Sequence, residues 1–258
     1  MELDQALIVV VGSFAVGVLG GLLGVGGGVF LVPFLVMFDV ATPKMAVAIS
    51  LCCVICTSAA AALVSGRNLA NQPGTARLST ALRLEPALVT GAVVASLFGV
   101  RVGDGALLIG FGLLILFIAL LIRVRSRFAA PDDAPWSSRR MAFVVALAFL
   151  SGAASGLFGV GGGVLVVPTL VLVGRWPLKA AAATSSLCLM TSAAAGAAVH
   201  HAYAPLPVDV VAAVIVGVLP GGFAGARLQR VASDTVLEAV FIALAVVVAG
   251  LSIWRGLQ

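Results

Sequence analysis

Charged residues are scarce in this chain of 258 residues: Asp, Glu, Lys and Arg make up only 10% of it, against 62% apolar residues. Soluble domains carry about 25% charged residues. The mean hydropathy is +1.21, and apolar runs of roughly 20 residues, each long enough to cross hydrocarbon as a helix, recur from end to end. The composition excludes a water-soluble domain and predicts an all-α polytopic membrane protein with the lipid bilayer as a partner.

Asp, Glu, His and Lys are almost absent from the apolar runs themselves. No carboxylate pair, metal-binding cluster or pair of nucleophile and base can therefore be assembled, and we predict that the protein is not an enzyme and has no cofactor or metal. The same lack argues against a cation pore, which normally uses acidic rings or carbonyl filters. The net charge of +5 comes mostly from loop arginines, which membrane orientation explains without a nucleic-acid partner. A small anion is the remaining substrate class.

The strongest pattern present is an internal repeat. GGLLGVGGGVFLVP begins at Gly20, and SGLFGVGGGVLVVP begins at Ser155, so the two segments align without a gap at a spacing of 135 residues. A looser match at a spacing of 126 pairs Arg101 with Arg227. The chain is therefore an internal duplication. We predict a first membrane repeat at 1–124, a cytoplasmic linker at 125–140 and a second membrane repeat at 141–258.

Each repeat is predicted to contain five helices, of which the second is short. An 11-residue helix covers about half of a 30 Å hydrocarbon core, so this segment should be a half-helix. The glycines before it break the chain, and a helix followed by a break and a returning half-helix makes a hairpin. The predicted helices are 5–22, 28–38, 43–65, 83–100 and 104–124, then 141–158, 163–173, 178–200, 206–225 and 233–254.

The distribution of lysine and arginine favours such hairpins. If each glycine-broken pair returns to its own side, twelve of these residues lie on the side of the linker and three, Lys44, Arg101 and Arg255, on the other. If each pair crosses once, the division is nine to six. Cytoplasmic loops are enriched in Lys and Arg, which favours the hairpin version. Each half then has an odd number of crossings, and the sequence predicts two inverted repeats.

The glycine breaks are the first candidates for a substrate site. A break at membrane depth needs protein, water or a ligand to satisfy its backbone groups. Each break also precedes the amino terminus of a half-helix, whose free amides and positive dipole favour an anion. The alternative is that the glycines only allow helices to approach closely. The candidates are Gly24, Gly26, Gly27 and Gly28 in the first half and Gly159, Gly161, Gly162 and Gly163 in the second.

Hydroxyl groups on the helix that follows each half-helix are the next candidates. They could donate hydrogen bonds to the oxygens of an oxyanion, although such groups often bond to their own helix backbone. The candidates are Ser50 and Thr57 in the first half and Thr184, Ser185 and Ser192 in the second. Ser50 and Ser185 rank highest because the repeat carries both.

Four further polar side chains invite a functional interpretation. Arg101 and Arg227 occupy equivalent places and could guide anions, or they could reach to the headgroups and anchor helix ends. His200 and His201 lie at a predicted helix end beside Tyr203. They could move protons, but we expect an interfacial loop position for them.

The paired glycine-and-proline motifs, each followed by a Ser/Thr-rich helix such as ATSSLCLMTSAA, resemble the TauE/SafE sulfite exporter family over essentially the whole chain. The resemblance implies transport of sulfite, sulfonates or related sulfur oxyanions, usually as export across a bacterial-type inner membrane. One departure is visible, because the first half has Ile49 before Ser50 where the second has Thr184 before Ser185. One ligand hydroxyl of the family pattern is then missing, which leaves the substrate open.

The sequence thus predicts a transporter that moves a small anion by alternating access, coupled to protons or to the membrane potential. Two other classes stay open: an anion-selective channel, and a sensor or assembly partner that transports nothing. The sequence specifies no oligomeric state.

Overall fold

The computed structural model describes residues 3–23, 26–69, 75–125, 137–174, 176 and 178–258. This part of the chain forms ten α-helices and no strand. Seven of them, α1, α3, α4, α5, α6, α9 and α10, are long and apolar enough to cross a membrane. The helices are α1 (Leu3–Leu23), α2 (Gly28–Met37), α3 (Pro43–Leu69), α4 (Thr75–Gly99), α5 (Asp104–Arg125), α6 (Ser138–Phe158), α7 (Gly163–Leu172), α8 (Leu178–Tyr203), α9 (Val208–Val231) and α10 (Asp234–Gly256).

The all-α polytopic architecture predicted from the sequence is confirmed, and all ten predicted helices are present. The largest errors lie at two polar helix ends. α4 begins at Thr75 rather than at residue 83, and α9 continues to Val231 rather than ending at residue 225. Hydropathy marks where a helix lies in hydrocarbon, whereas hydrogen bonding continues until a breaker stops it. The Arg-bearing segment TARLSTAL follows Gly74, and the segment ARLQRV follows Gly225. Neither segment contains a glycine or proline that would break the helix.

Both short helices fold back along the helix that precedes them, as predicted. In the first half, the Gly20 position packs on Gly27 and the Gly12 position on the ring of Phe34. In the second half, Ser151 donates a hydrogen bond to the carbonyl of Gly162. In both halves, residues later in the short helix contact residues earlier in the helix that precedes it. Each helix and its half-helix therefore form an antiparallel hairpin.

The second hairpin is fixed at its open end as well. Arg140 Nε, near the start of α6, donates to the carbonyl oxygen of Val173, just past the end of α7, at 2.6 Å. The beginning of α6 and the end of α7 therefore lie at the same side of the bundle.

The two halves pack across each other rather than side by side. α1 runs parallel to α9, where Gly217 lies on the Val10 carbonyl and Gly225 on the Val18 carbonyl. α6 runs parallel to α4 in the same manner, with Gly152 on the Leu88 carbonyl. α3 packs on α8, and α5 on α10. Exchanging the halves converts the α1–α9 pairing into the α6–α4 pairing and leaves the α3–α8 and α5–α10 pairings unchanged.

Polar contacts connect helix ends at the side opposite the start of α6; most of the predicted linker, residues 126–136, lies outside the described residues. Arg255, at the end of α10, pairs with Asp39, which follows α2. Lys44, at the start of α3, lies 4.0 Å from Asp104, at the start of α5. Exposed pairs of this kind contribute little free energy, but they show which ends of the helices share a side.

The half-helices are the most enclosed elements of the bundle. Eight of the ten residues of α2 are buried, and six of these eight lie in the same core cluster as side chains from α1, α3, α5, α9 and α10. α7 occupies a second cluster with α4, α6 and α8. A helix that is apolar on all sides has to be surrounded, which is why a segment too short to cross can sit at membrane depth.

The close approach of α4 and α6 predicts a large difference between two glycines. A Cβ at Gly152 would overlap the backbone of Leu88, whereas a Cβ at Gly250 would meet nothing within 4 Å. Overpacking of this kind costs about 1–3 kcal/mol. We expect Gly152→Ala to lower the thermal unfolding temperature of the purified protein in detergent and Gly250→Ala to leave it unchanged. Equal unfolding of both variants would contradict the tight α4–α6 contact.

Candidate functional site

The two glycine breaks, which lie far apart in the sequence, contact each other inside the bundle. A Cβ atom at Gly28 would overlap the carbonyl oxygen of Gly159 and would lie 3.2 Å from the carbonyl carbon of Val160. All of these residues are buried. Gly26, Gly159 and Gly161 have φ angles of 74°, 68° and 73°, which side-chain-bearing residues rarely adopt. Gly24 lies outside the described residues.

Val54 fills the space between the two breaks. Its methyl groups lie 3.5 Å from the Cβ position of Gly26, 2.9 Å from that of Gly28 and 2.8 Å from that of Gly161. Sequence reasoning missed this residue because valine carries no polar signal. Val54 nevertheless lies on the same face of α3 as Ser50 and Thr57, one turn from each, and this spacing was the available indication.

Each break ends at a half-helix whose first turn has no side-chain cap. Gly27 precedes α2 and Gly162 precedes α7, and neither can offer a side-chain acceptor to the first amides. The carbonyls of Gly27 and Gly162 accept the bonds that start each half-helix, from Phe30 and Leu31 and from Leu165 and Val166. A helix amino terminus of this kind is suited to binding an anion.

Hydroxyls of the first half are used to hold the breaks in place. Ser50 Oγ donates to the carbonyl of Gly159 at 2.6 Å, and this bond connects α3 to the opposite break. Thr57 Oγ1 accepts the amide of Gly27 at 3.4 Å and donates to the carbonyl of Cys53 at 3.0 Å. The protons of both hydroxyls are therefore given to backbone carbonyls.

Hydroxyls of the second half differ in this respect. Ser192 donates to its own helix backbone at Cys188 and Leu189. Ser185 Oγ is fully buried, has no hydrogen-bond partner in the described part of the chain, and lies 2.8 Å from the Cβ position of Gly163. Thr184 is buried next to it in the sequence. Ser185 is thus the predicted ligand whose hydroxyl is directed at a half-helix terminus and is not already used.

Ser155 is a second buried hydroxyl without a partner among the described residues. It lies one turn before Gly159, whose amide donates to the Ser155 carbonyl at 2.8 Å. Ser155 was not selected from the sequence. The internal repeat aligns Ser155 with Gly20, which packs on Gly27. That correspondence was the signal for a residue next to the break.

Arg101 and Arg227 are not brought to the breaks. Arg101 lies in the exposed turn between α4 and α5, and Arg227 is exposed near the end of α9. Their role in guiding anions stays a prediction.

His200 corrects the sequence-based expectation. An interfacial loop position was expected for both histidines, but α8 continues to Tyr203, and His200 is only 5% exposed. Its Nε2 lies 3.0 Å from the carbonyl oxygen of Gly156, which also accepts a bond from Ser96 Oγ at 3.1 Å. The reason is the small face of α6, where Gly156 lets α8 approach closely enough for a buried imidazole to reach the backbone. His201 is exposed.

Comparison with known proteins decides the family. The chain matches the family described as Sulfite exporter TauE/SafE over residues 9–252. The chain belongs to this family. It is 30% identical over 249 residues to the probable membrane transporter protein YunE of Bacillus subtilis (strain 168), covering 87% of this chain and 88% of that one. No solved structure matches the chain significantly.

Two further relatives show how far the similarity extends. A probable membrane transporter protein of Xylella fastidiosa (strain 9a5c) is 32% identical over 266 residues, covering 97% of this chain and 96% of that protein. The probable membrane transporter protein MamO of Paramagnetospirillum magneticum (strain ATCC 700264 / AMB-1) is 38% identical over 97 residues, 34% of this chain and 15% of that protein. The resemblance to TauE/SafE proteins inferred from the glycine motifs is confirmed, and the chain is a multi-pass membrane protein of a transporter family.

The departure from the TauE/SafE pattern lies beside the site. Ile49 is fully buried where the second half has Thr184. The first half therefore offers one hydroxyl fewer at this position. Its two predicted ligand hydroxyls, Ser50 and Thr57, are bonded to backbone, whereas Ser13 and Ser58 have no partner among the described residues.

Two serines in equivalent positions should respond differently to removal of the hydroxyl. Ser50→Ala leaves the buried Gly159 carbonyl without its donor, which costs about 1–3 kcal/mol. Ser185→Ala breaks no bond within the described structure. We expect a lower unfolding temperature in detergent for Ser50→Ala and an unchanged or higher one for Ser185→Ala. Destabilisation of the Ser185 variant by the same amount would show that its hydroxyl has a structural partner.

Proposed function

We propose that the protein is a secondary transporter, and in the simplest case an exporter, of a small anion such as sulfite or another sulfur oxyanion, including organosulfonates. Alternating access is the proposed mechanism and the bacterial inner membrane the proposed location. The family description supports the substrate class, and relatives along the whole chain are named probable membrane transporter proteins.

The observation that carries the proposal is the unpartnered hydroxyl of Ser185 at the uncapped amino terminus of α7. A buried hydroxyl without a partner costs free energy, and an oxyanion accepts hydrogen bonds from hydroxyls and helix amides alike. Charged side chains are absent from the buried residues that the structure describes. Binding then depends on dipoles and neutral donors, which allows an anion to be held and also released.

The contact between the breaks favours a carrier over an open channel. Gly28 packs on the Gly159 carbonyl, and Val54 fills the adjoining space. A transporter needs such an occluded state between its two open states, and each break belongs to a hairpin that packs on helices of the other half. Movement of one hairpin against the other would open the site to one side at a time.

The helix directions support two inverted repeats. The end of α2, the starts of α3 and α5 and the end of α10 lie at one side, where the Asp39–Arg255 and Lys44–Asp104 pairs join them. α6 starts and α7 ends at the other side. We assign this second side to the cytoplasm, because the hairpin topology inferred from the sequence would place twelve of the fifteen lysines and arginines there.

The topology proposal predicts the location of two reporters. A reporter fused after Gln258 should lie outside the cytoplasm, and one inserted in the linker at 125–140 should lie inside. Paired phosphatase and fluorescent-protein fusions measure both positions. Placement of both reporters on the same side would overturn the inverted arrangement.

Flux in liposomes tests the function. Purified protein should catalyse saturable sulfite exchange, with sulfate, thiosulfate and small sulfonates as competitors. Ser185→Ala removes one hydrogen bond to a charged ligand, worth about 1.5–3 kcal/mol, and should raise the KM about 10- to 100-fold. Gly28→Ala should abolish exchange because its Cβ overlaps the opposite break, and Gly250→Ala is the matched control.

Two outcomes would change the conclusion. Continuous single-channel currents would replace the carrier with an anion channel. Absence of flux for every anion, with protein shown to be folded, would remove transport and favour a sensor or assembly role.

A further inference from the structure

The proposed anion site at Ser185 has a large apolar side chain beside it. Ser185 and Leu189 are four residues apart on α8, so they lie on one face of that helix. Leu189 Cδ1 lies 2.6 Å, and Ser185 Oγ 2.8 Å, from the position that a Cβ would take at Gly163, the first residue of α7. Leu189 is only 1% exposed. A hydroxyl group and an isobutyl group therefore share the amino terminus of α7.

The first half has the same arrangement with a smaller side chain. The repeat aligns Val54 with Leu189 and Gly28 with Gly163. Val54 Cγ2 lies 2.9 Å from the Cβ position of Gly28, the first residue of α2, as Leu189 lies against Gly163. Val54 also reaches the other half, because its Cγ1 lies 2.8 Å from the Cβ position of Gly161. Both side chains thus pack on the second break.

Val54 and Leu189 belong to one apolar cluster between α3 and α8. Leu51 and Ala193 complete its buried part, and all four side chains are at most 1% exposed. An anion at Ser185 would then have a hydroxyl and helix amides on one side and carbon atoms on the other. A close-packed interior accommodates added volume poorly. Any group attached to the anion therefore competes with this cluster for space.

We propose that Leu189 and Val54 determine the size of the anion that the protein accepts. This inference rests on the proposed transport function. The oxygens of the anion bind at Ser185 and the amides of α7, and Leu189 leaves room beside them for a compact oxyanion but not for a longer alkyl chain. Val54 closes the same space towards the first break. The substrate class is then a small oxyanion of the size of sulfite or methanesulfonate.

Competition by alkanesulfonates in liposomes tests this size limit. Sulfite exchange is measured with methanesulfonate and with butanesulfonate as inhibitors, and the readout is the ratio of the two inhibition constants. In the wild type, butanesulfonate overpacks the site and should bind about 5- to 150-fold more weakly than methanesulfonate.

Smaller side chains at the two positions should lower this ratio. Leu189→Ala removes as many carbons as butanesulfonate adds to methanesulfonate. Because each buried methylene contributes about fourfold to affinity, we expect the ratio to fall at least about tenfold. Leu189→Val removes a single carbon, is milder should Leu189→Ala fail to fold, and should lower the ratio about fourfold. Val54→Ala, which removes two methyl groups beside Gly161, should lower it as well.

Leu51→Ala is the matched control. Leu51 is fully buried in the same cluster, but its Cδ1 lies 3.2 Å from the Cβ position of Gly196 and not against a glycine break. The same deletion there should lower the unfolding temperature and leave the inhibition ratio at its wild-type value. A second readout needs no transport, because each bound sulfonate raises the unfolding temperature in detergent according to its affinity.

The outcomes separate the two proposals. Equal inhibition of the wild type by both sulfonates, an unchanged ratio in the folded Leu189 variants, or an equal change in Leu51→Ala would overturn the size limit and leave the transporter in place. An unchanged ratio in Val54→Ala alone would remove Val54 from it. Absence of sulfite flux in the folded wild type would instead overturn the proposed function.

Discussion

Backbone groups inside a hydrocarbon layer have to be hydrogen-bonded, and this requirement organises the whole structure. Two glycine breaks interrupt helices at membrane depth, and each is held by groups from elsewhere. Ser50 bonds the Gly159 carbonyl, Thr57 accepts the Gly27 amide, and Ser151 bonds the Gly162 carbonyl. The half-helices are buried on nearly all sides because they are apolar all round and because the backbone groups at their termini have no partners within the helix. The long helices supply that cover from both halves of the chain.

The two breaks are related by duplication but have diverged in chemistry. Ser151 and Ser155 in the second half occupy the positions of Val16 and Gly20 in the first half. Ser50 donates a hydrogen bond to a backbone carbonyl, whereas the equivalent Ser185 has no partner among the described residues. Ser155 and Ser185 near the second break have no hydrogen-bond partner in the described residues, and the same holds for Ser13 and Ser58 in the first half. Of the two serines in equivalent positions, Ser50 is bonded within the protein and Ser185 is available to a ligand, so the repeat carries an asymmetric pair.

Much of this architecture could be predicted from the sequence, because glycine runs and apolar run lengths report directly on breaks and crossings. The hairpins and the meeting of hydroxyl-bearing helices with the breaks follow from them. The burial of His200, the position of Val54 and the free state of Ser185 could not be predicted. Each depends on which face of a uniformly apolar helix meets the other half, and hydropathy does not distinguish lipid from protein as a neighbour. The polar extensions of α4 and α9 were missed for a related reason. Hydropathy indicates whether a segment lies in lipid or in water, and it does not indicate whether the segment is helical.

The parallel pairing of α1 with α9 has a consequence for how the chain is made. The glycine face of α1, with Gly17 and Gly21, fits against Val218, Gly222 and Ala226. These partners are synthesised some 200 residues later, so α1 enters the membrane well before the helix against which it packs. During biosynthesis that face has to be covered by lipid or by an insertion factor, and the first half remains an assembly intermediate until the ninth helix arrives.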